Sequence, residues 1–479
     1  MVKGFFQCVR RLAWPTVLLL SGQIGNTLAL DLHGIPAQNI GLWAASVETG
    51  EVIEAWRADE PMSPASTMKL VTTWTALQTL GPHYVWRTEF VSAAPVENGV
   101  LKGDLYWVGR GDPAFRLDHL RGMLMHLKAR GIQTIQGRLL LDKTAFNRIT
   151  TAEGFDHDKG RAFMCPPDTH LVQTNTAWLR FFNDTAGPRV VLDPPFVGVH
   201  LDTQLKRAEY GTCDNVRDHV TVVQQNTNKI ALVGQLPASC DGVTLRVEEL
   251  MPPARFAVEA FRTLWQEMGG NGPEEGMGEA PAPNSARVLA FSESAPLSRS
   301  LPDMIKYSNN PMTRLLYLSL GYTRPSRGDS VAEAEITVRR TLGMHGIEDK
   351  ALVLENGSGL SRRERLSARL LGEMLIDAAR GPYAVEFIHS LPTATGEGTL
   401  QDRFMSLGPR LRLKTGSLNG VRALAGFWHN PDGRRLAIVA MLNQSDAAHR
   451  VDALDAIVRD IIQRYIEMTS TRKGEERCP

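Results

Sequence analysis

The chain has 479 residues, of which 43% are hydrophobic, 22% charged and 7% aromatic. This mix excludes a largely disordered chain and leaves room for two or three domains. Its 53 basic and 52 acidic side chains give a formal net charge of +1, which offers no support for nucleic-acid binding. Lys3, Arg10 and Arg11 stand in the first 29 residues without an acid, so the remainder is slightly acidic.

That first stretch reads as an address. After the three basic residues comes an apolar run, Leu12 to Leu20, interrupted only by Pro15 and Thr16. Ser21-Gly22 breaks it, and Thr27-Leu28-Ala29 places small residues where a signal peptidase cuts. The order is that of a secretory signal, and the run is shorter than the ~20 residues needed to span a bilayer. The expectation is export to the periplasm after cleavage near Ala29, against a buried N-terminal helix or a retained anchor.

Residues 39–58 read as a β-hairpin turning at Glu48-Thr49-Gly50-Glu51. A helix follows from Ser66 to Leu80, with Met68, Val71, Trp74 and Leu77 at three- and four-residue spacing and Gly81-Pro82 as its stop. From 89 to 254 strand-like runs dominate, with a helix near Leu117–Arg130. Ala254–Met268 reads as a helix, and Gly269–Asn284, rich in Gly, Pro and Glu, as a flexible surface loop. Beyond 286, helices are expected at Asn310–Leu320 and Ser367–Ala379, and strands at Arg412–Lys414, Ala423–His429 and Leu436–Leu442. The last helix gathers Leu454, Ile457, Val458, Ile461, Ile462, Tyr465 and Ile466 on one face. That face suits a sheet, or a membrane surface.

Of the five cysteines, Cys8 leaves with the leader. Cys213 and Cys240 flank a strand-like segment and are the expected pair in an oxidising compartment, against two free thiols. No CxxC and no His/Cys cluster indicates a metal, and no cofactor is implied.

Three short motifs occur in order: Ser66-Thr67-Met68-Lys69, Ser308-Asn309-Asn310 and Lys414-Thr415-Gly416-Ser417. Ser66 and Lys69 project from one helix face about a turn apart. A serine hydroxyl needs a base within reach, and a lysine in a dry pocket beside another cation, here Lys414, can serve. Free N–H groups at the start of the helix can hold an oxyanion, with the Ser417 N–H as a second donor. Lys414 is expected to meet a substrate carboxylate, with Thr415 or Ser417 supplying a hydroxyl. Gly416 is expected to admit the substrate backbone. Ser308 would relay a proton to the leaving amine, Asn310 would hold Lys69 and the substrate carbonyl, and Asn309 would be a spacer facing away. Singly, S-x-x-K and S-x-N arise by chance about once in a chain this long. Ser417-Leu418-Asn419 is such a second S-x-N. The order and element context of all three carry the reading.

On these residues the chain resembles the class C, low-molecular-mass penicillin-binding proteins, D-alanyl-D-alanine carboxypeptidases/endopeptidases. The stretches 64–70, Gly109-Arg110-Gly111-Asp112-Pro113, Gly357-Ser358-Gly359-Leu360-Ser361 and Lys414–Ser417 with Gly420–Gly426 carry the resemblance. It implies an α/β (α+β) penicillin-binding, serine β-lactamase-like transpeptidase fold. The catalytic domain is then discontinuous, 30–88 and 255–470, around a largely β inserted region 89–254 of one or two subdomains, with a tail at 471–479. It implies Ser66 as acylated nucleophile, Lys69 as base, Ser308, Asn310 and Lys414 as further catalytic groups, and Thr415, Gly416 and Ser417 lining the cleft. Asp142 resembles an inserted-region aspartate bound to the amino end of the peptide's diamino acid; a turn aspartate is the competing reading. Asn356 stands where Asp often precedes Gly-Ser-Gly, and Thr313-Arg314 where Ala-Glu is common. The implied activity is a serine DD-peptidase on peptidoglycan stem peptides, inhibited by β-lactams. Against it stand a β-lactamase or esterase of the same fold, and a non-catalytic wall-binding protein. Cleavage preference, oligomeric state and peripheral membrane contact stay open.

Overall fold

The computed structural model describes residues 30–475 apart from 227, 249 and 323–327. The expected leader, 1–29, and residues 476–479 lie outside the described residues.

Both ends of the described chain build one five-stranded antiparallel sheet. Its order is Leu411–Leu418, Val421–His429, Arg435–Asn443, Ile40–Ser46 and Val52–Trp56. Strand Ile40–Ser46 is buried throughout, because helices cover both faces. Side chains alternate between those faces. Leu42, Ala44, Leu424, Ile438 and Ala440 meet Leu454, Ile457, Val458, Ile461 and Ile462 of the last helix. That helix therefore packs on the sheet, and it runs from Val451 to Glu475, into the segment read as a tail. Trp43, Ala45, Ala425, Phe427, Val439 and Met441 face the other way, into a core shared with the remaining helices. The helix Met68–Thr79 lies inside that core. Every side chain from Met68 to Leu77 is buried, Lys69 and three threonines included.

A second core occupies the middle of the chain. Its sheet runs Met277–Glu279, Leu139–Asp142, Leu105–Val108, Arg87–Ser92, Arg287–Glu293. Helices Leu117–Ala129 and Pro253–Glu267 share this core with three three-stranded sheets. Phe256, Phe261, Leu264, Trp265 and Ala290 belong here, and the first core resumes only at Leu297. The expected return at 255 therefore comes too early: helix Pro253–Glu267 turns its apolar face to the inserted sheet. The expected loop at 269–284 likewise holds a short strand, Met277–Glu279, parallel to Leu139–Leu141. A strand of three residues with one neighbour has too short a pattern to be read from sequence.

The two cores meet behind the second motif. Leu315 and Leu318 of helix Asn310–Tyr322 pack on Ala145, Phe146, Cys165 and Leu171. Arg314, 2% exposed, donates Nε to Thr150 Oγ1 at 2.9 Å and Nη1 to the Cys165 carbonyl at 3.3 Å, and bonds the Thr150 carbonyl through Nη2. Burial lowers its pKa to about 10. A residue noted only as a departure from the family pattern is thus the tie between regions.

Cys213 and Cys240 form the expected disulfide, with Cα atoms 5.1 Å apart and a sequence separation of 27. A cross-link over that loop restricts the unfolded chain by about 3 kcal/mol. Replacing both cysteines by serine is expected to lower the unfolding free energy of the inserted region by about that amount, read by urea denaturation followed by tryptophan fluorescence.

Candidate active site

The nucleophile turn is strained and held from two sides. Ala65 takes a φ of 44°, and Thr67 returns its N–H and hydroxyl to the Pro64 carbonyl at 3.2 and 2.7 Å. Such a conformation costs a non-glycine residue ~1 kcal/mol and persists only where neighbours enforce it. Two glycines do so. A methyl group at Gly359 would overlap the Ala65 carbonyl, and one at Gly416 would lie 2.6 Å from the Pro64 oxygen. Gly416 was expected to make room for substrate; the structure shows that the room is taken by the nucleophile turn.

Lys69 Nζ has three partners: Ser66 Oγ at 3.0 Å, Asn310 Oδ1 at 2.6 Å and the Ser358 carbonyl at 2.5 Å. The Asn310 amide is oriented by its Nδ2, which donates to the Phe163 carbonyl at 3.3 Å. Two of the three partners can therefore only accept. Lys69 is fully buried, and burial, then the charge of Lys414, hold its pKa well below the usual lysine range. A neutral amine has two hydrogens and one lone pair. In the neutral form those hydrogens go to Asn310 and Ser358, and the lone pair is left for the Ser66 hydroxyl. An amine so placed can take the proton of a serine hydroxyl.

Lys414 is also fully buried, and burial lowers its pKa to about 7. Its Nζ donates to Ser308 Oγ at 3.0 Å and to the Thr415 carbonyl at 2.7 Å. It does not reach out to meet a carboxylate directly, as expected from sequence; it serves Ser308. Ser308 has a φ of 56°. Asn309, expected as a spacer, caps the following helix, its Oδ1 accepting the Met312 N–H at 3.1 Å. Ser66, Ser308, Asn310 and the exposed Ser417 line one cavity of about 280 Å3. Thr415 sits behind it, paired with Thr399 Oγ1 at 2.6 Å.

Asp142 is not brought to this cavity. Its Oδ1 accepts the Thr144 N–H and hydroxyl at 2.9 and 2.6 Å, and its Oδ2 the Ala282 N–H at 2.8 Å. Both oxygens close turns of the inserted region, the competing reading of this residue. Side chains that do reach the cavity from that region are Phe155, Asp158 and Phe163. They carry no motif, and nothing in the sequence marks them.

Glu364 is the other residue missed. Fully buried, it accepts N–H groups of Glu355, Asn356, Gly357 and Gly359 at 2.8–3.1 Å. Burial pushes its carboxyl up, while the four donors oppose that. The charge that the resemblance places at 356 is thus supplied at 364. Asn356 instead accepts the Ser358 N–H at 3.0 Å and hydroxyl at 2.6 Å. The loop so folded delivers the Ser358 carbonyl to Lys69. Among the described residues, no group of three or more His, Cys, Asp or Glu side chains could hold a metal ion.

Fold and site together fit a serine enzyme, with a buried lysine within reach of the serine hydroxyl. Residues 22–461 match the family described as D-Ala-D-Ala carboxypeptidase 3 (S13). The chain is 32% identical over 415 residues to a D-alanyl-D-alanine carboxypeptidase of Actinomadura sp. (strain R39), covering 82% of this chain and 76% of that one. It is 26% identical to D-alanyl-D-alanine carboxypeptidase DacB of Haemophilus influenzae, with 85% of each covered. The crystal structure of penicillin binding protein 4 (dacB) from Haemophilus influenzae superposes with a TM-score of 0.71 at 25% identity, covering 85% of this chain and 90% of that chain. The chain belongs to the D-Ala-D-Ala carboxypeptidase 3 (S13) family.

Three signed shifts follow from the buried charges. The charge of Lys414 lowers the pKa of Lys69 and that of Glu364 raises it. Lys414→Met should move the acid limb of the β-lactam acylation rate to higher pH, and Glu364→Gln should move it to lower pH. Both are read by stopped-flow acylation across pH. The third concerns stability. The native state holds Lys414 near 7 against a usual 10.5, so between those values it binds fewer protons than the unfolded chain. Stability is lost as pH falls through this window. Lys414→Met should therefore raise the melting temperature at pH 7, with the gain vanishing above about 10.5.

Proposed function

We propose that Ser66 forms an acyl-enzyme with D-alanine-containing peptides of the bacterial wall, acting as a DD-carboxypeptidase and a DD-endopeptidase. The observation that carries this is the pair of hydrogen bonds Lys69–Ser66 and Lys414–Ser308 meeting in one cavity, in a chain of the S13 family.

Ser66 Oγ attacks the carbonyl carbon of the penultimate D-alanine as Lys69 Nζ takes its proton. The N–H groups of Ser66 and Ser417 hold the oxyanion. The proton taken by Lys69 passes on to the leaving amine through Ser308, whose hydroxyl is fixed by Lys414, and Lys69 is neutral again. The Ser417 hydroxyl receives the C-terminal carboxylate, with the buried Lys414 behind it as its counter-charge. Water then enters, is deprotonated by Lys69, and releases the peptide by the same steps reversed. A β-lactam acylates Ser66 and leaves slowly; the structure of the Haemophilus influenzae protein complexed with a novel β-lactam shares this fold. No described helix is long and apolar enough to cross a membrane, and the leader-like N-terminus supports action outside the cytoplasm.

Ser66→Ala should abolish labelling by fluorescent penicillin and lower D-alanine release from an N-acyl-D-Ala-D-Ala peptide by at least about 10^3-fold. Retained labelling, or rapid β-lactam turnover by the native protein, would refute the reading, the latter in favour of a β-lactamase.

A further inference from the structure

The cleft continues beyond the reacting groups. Phe163, Ser308 and Asn310 line both the Ser66 cavity and an adjoining one that reaches Arg161 and Arg246. Arg161 and Arg246 in turn line a larger cavity of about 730 Å3 inside the inserted region, together with Lys159 and Arg217. Its remaining wall is aliphatic, Ile230 and Leu245 among it. No carboxylate lines either of these two outer cavities among the described residues.

The four cations are poorly compensated. Arg161 faces Asp158 at 3.7 Å. For Lys159, Arg217 and Arg246 no carboxylate of the described side chains lies within 4.0 Å. Arg217 Nη2 donates to the Arg246 backbone carbonyl at 3.0 Å, and both residues line the same cavity. Arg246 donates Nη2 to Thr176 Oγ1 at 3.2 Å, while its Nε is buried without a partner. Like charges on a concave wall with aliphatic backing repel one another and concentrate positive potential. A bound anion relieves both, and a guanidinium with a vacant N–H suits a carboxylate fork. In a chain of near-zero net charge such a cluster is a local excess, not a general property of the surface.

We propose that this basic channel is a subsite for carboxylates on the substrate peptide remote from the amide that is cut, so that the enzyme reads a carboxylate-rich arm of a cross-linked stem peptide. The assignment rests on the DD-peptidase reading of Ser66. Its support is the continuity of the channel with Ser308 and Asn310, which places any anion there on the path of a bound peptide.

The test is a cross-linked muropeptide dimer with free carboxylates, compared with the same dimer amidated at every carboxylate except that of the terminal D-alanine. With the native enzyme, amidation should raise KM about tenfold, the worth of one charge-assisted contact, and leave kcat within about twofold. In Arg217→Gln/Arg246→Gln the same amidation should change KM less than about twofold. Lys159→Gln/Arg217→Gln, confined to exposed side chains, should show a reduced penalty in the same direction even where loss of the Arg246–Thr176 bond unfolds the first variant. No penalty in the native enzyme, or an undiminished one in both variants, overturns the subsite. Inhibition by polyphosphate that the variants lose, with amidation silent, also overturns it and gives the channel to a phosphate polymer. If the native protein neither takes fluorescent penicillin at Ser66 nor frees D-alanine from a short acyl-D-Ala-D-Ala peptide, the reading of Ser66 fails, and the subsite with it. If it does both and amidation is silent, the subsite alone fails.

Discussion

An amine without access to solvent is costly in its charged form, and Lys69 is such an amine. The site is built so that the neutral form is satisfied. Two fixed acceptors, Asn310 Oδ1 and the Ser358 carbonyl, consume its hydrogens, and Lys414 nearby discourages a proton from joining. What remains is a lone pair directed at Ser66. Each of those supports comes from a different segment: one from the helix after the second motif, one from the loop ordered by Glu364, one from the sheet. The reactivity of Ser66 is therefore a property of how these segments are packed, and disturbing any of them alters the base before it alters the nucleophile.

The inserted region belongs to the same construction. It is fastened to helix Asn310–Tyr322 through Arg314 and the Leu315/Leu318 contact, and through the bond from Asn310 to Phe163. That last bond orients the amide which in turn orients Lys69. A region the size of a whole domain thus supports the reacting atoms through hydrogen bonds, from Asn310 to Phe163 and from Asn356 to Thr151. It also supplies the cavity wall with Phe155, Asp158 and Phe163 and carries the cationic channel beyond. Substrate selection and base orientation share a support, so changes in this region are expected to be felt in both.

Legibility in the sequence followed the range of the interaction. Ser66 and Lys69 are three residues apart, and helical geometry alone brings them together. The last helix was readable because one face carries seven apolar residues at helical spacing, and the sheet claims that face. The helix Met68–Thr79 was only partly readable. Its threonines are buried as well as its apolar residues, Thr72 bonding the Gly357 carbonyl at 2.6 Å, so no polar face marks its orientation. Asp142 illustrates the opposite case. Resemblance offered it a substrate, while its oxygens are taken by the chain at Thr144 and Ala282, the second 140 residues away.

By itself the sequence determined which chemistry is available: a serine, two lysines and a second serine with an amide, in an order and context that fit acyl transfer. Those are matters of residue type and short spacing, and side-chain chemistry travels with the residue. Only the tertiary structure decided which acceptors surround Lys69, why Gly416 must be glycine, and that Glu364 rather than residue 356 carries the loop's charge. It also decided where the inserted region ends, because Pro253–Glu267 is as good a helix on one core as on the other. The reason is common to all four. Each depends on what lies across a contact from a residue distant in the chain, and burial, which shifts a pKa or forbids a methyl group, exists only once that contact is made.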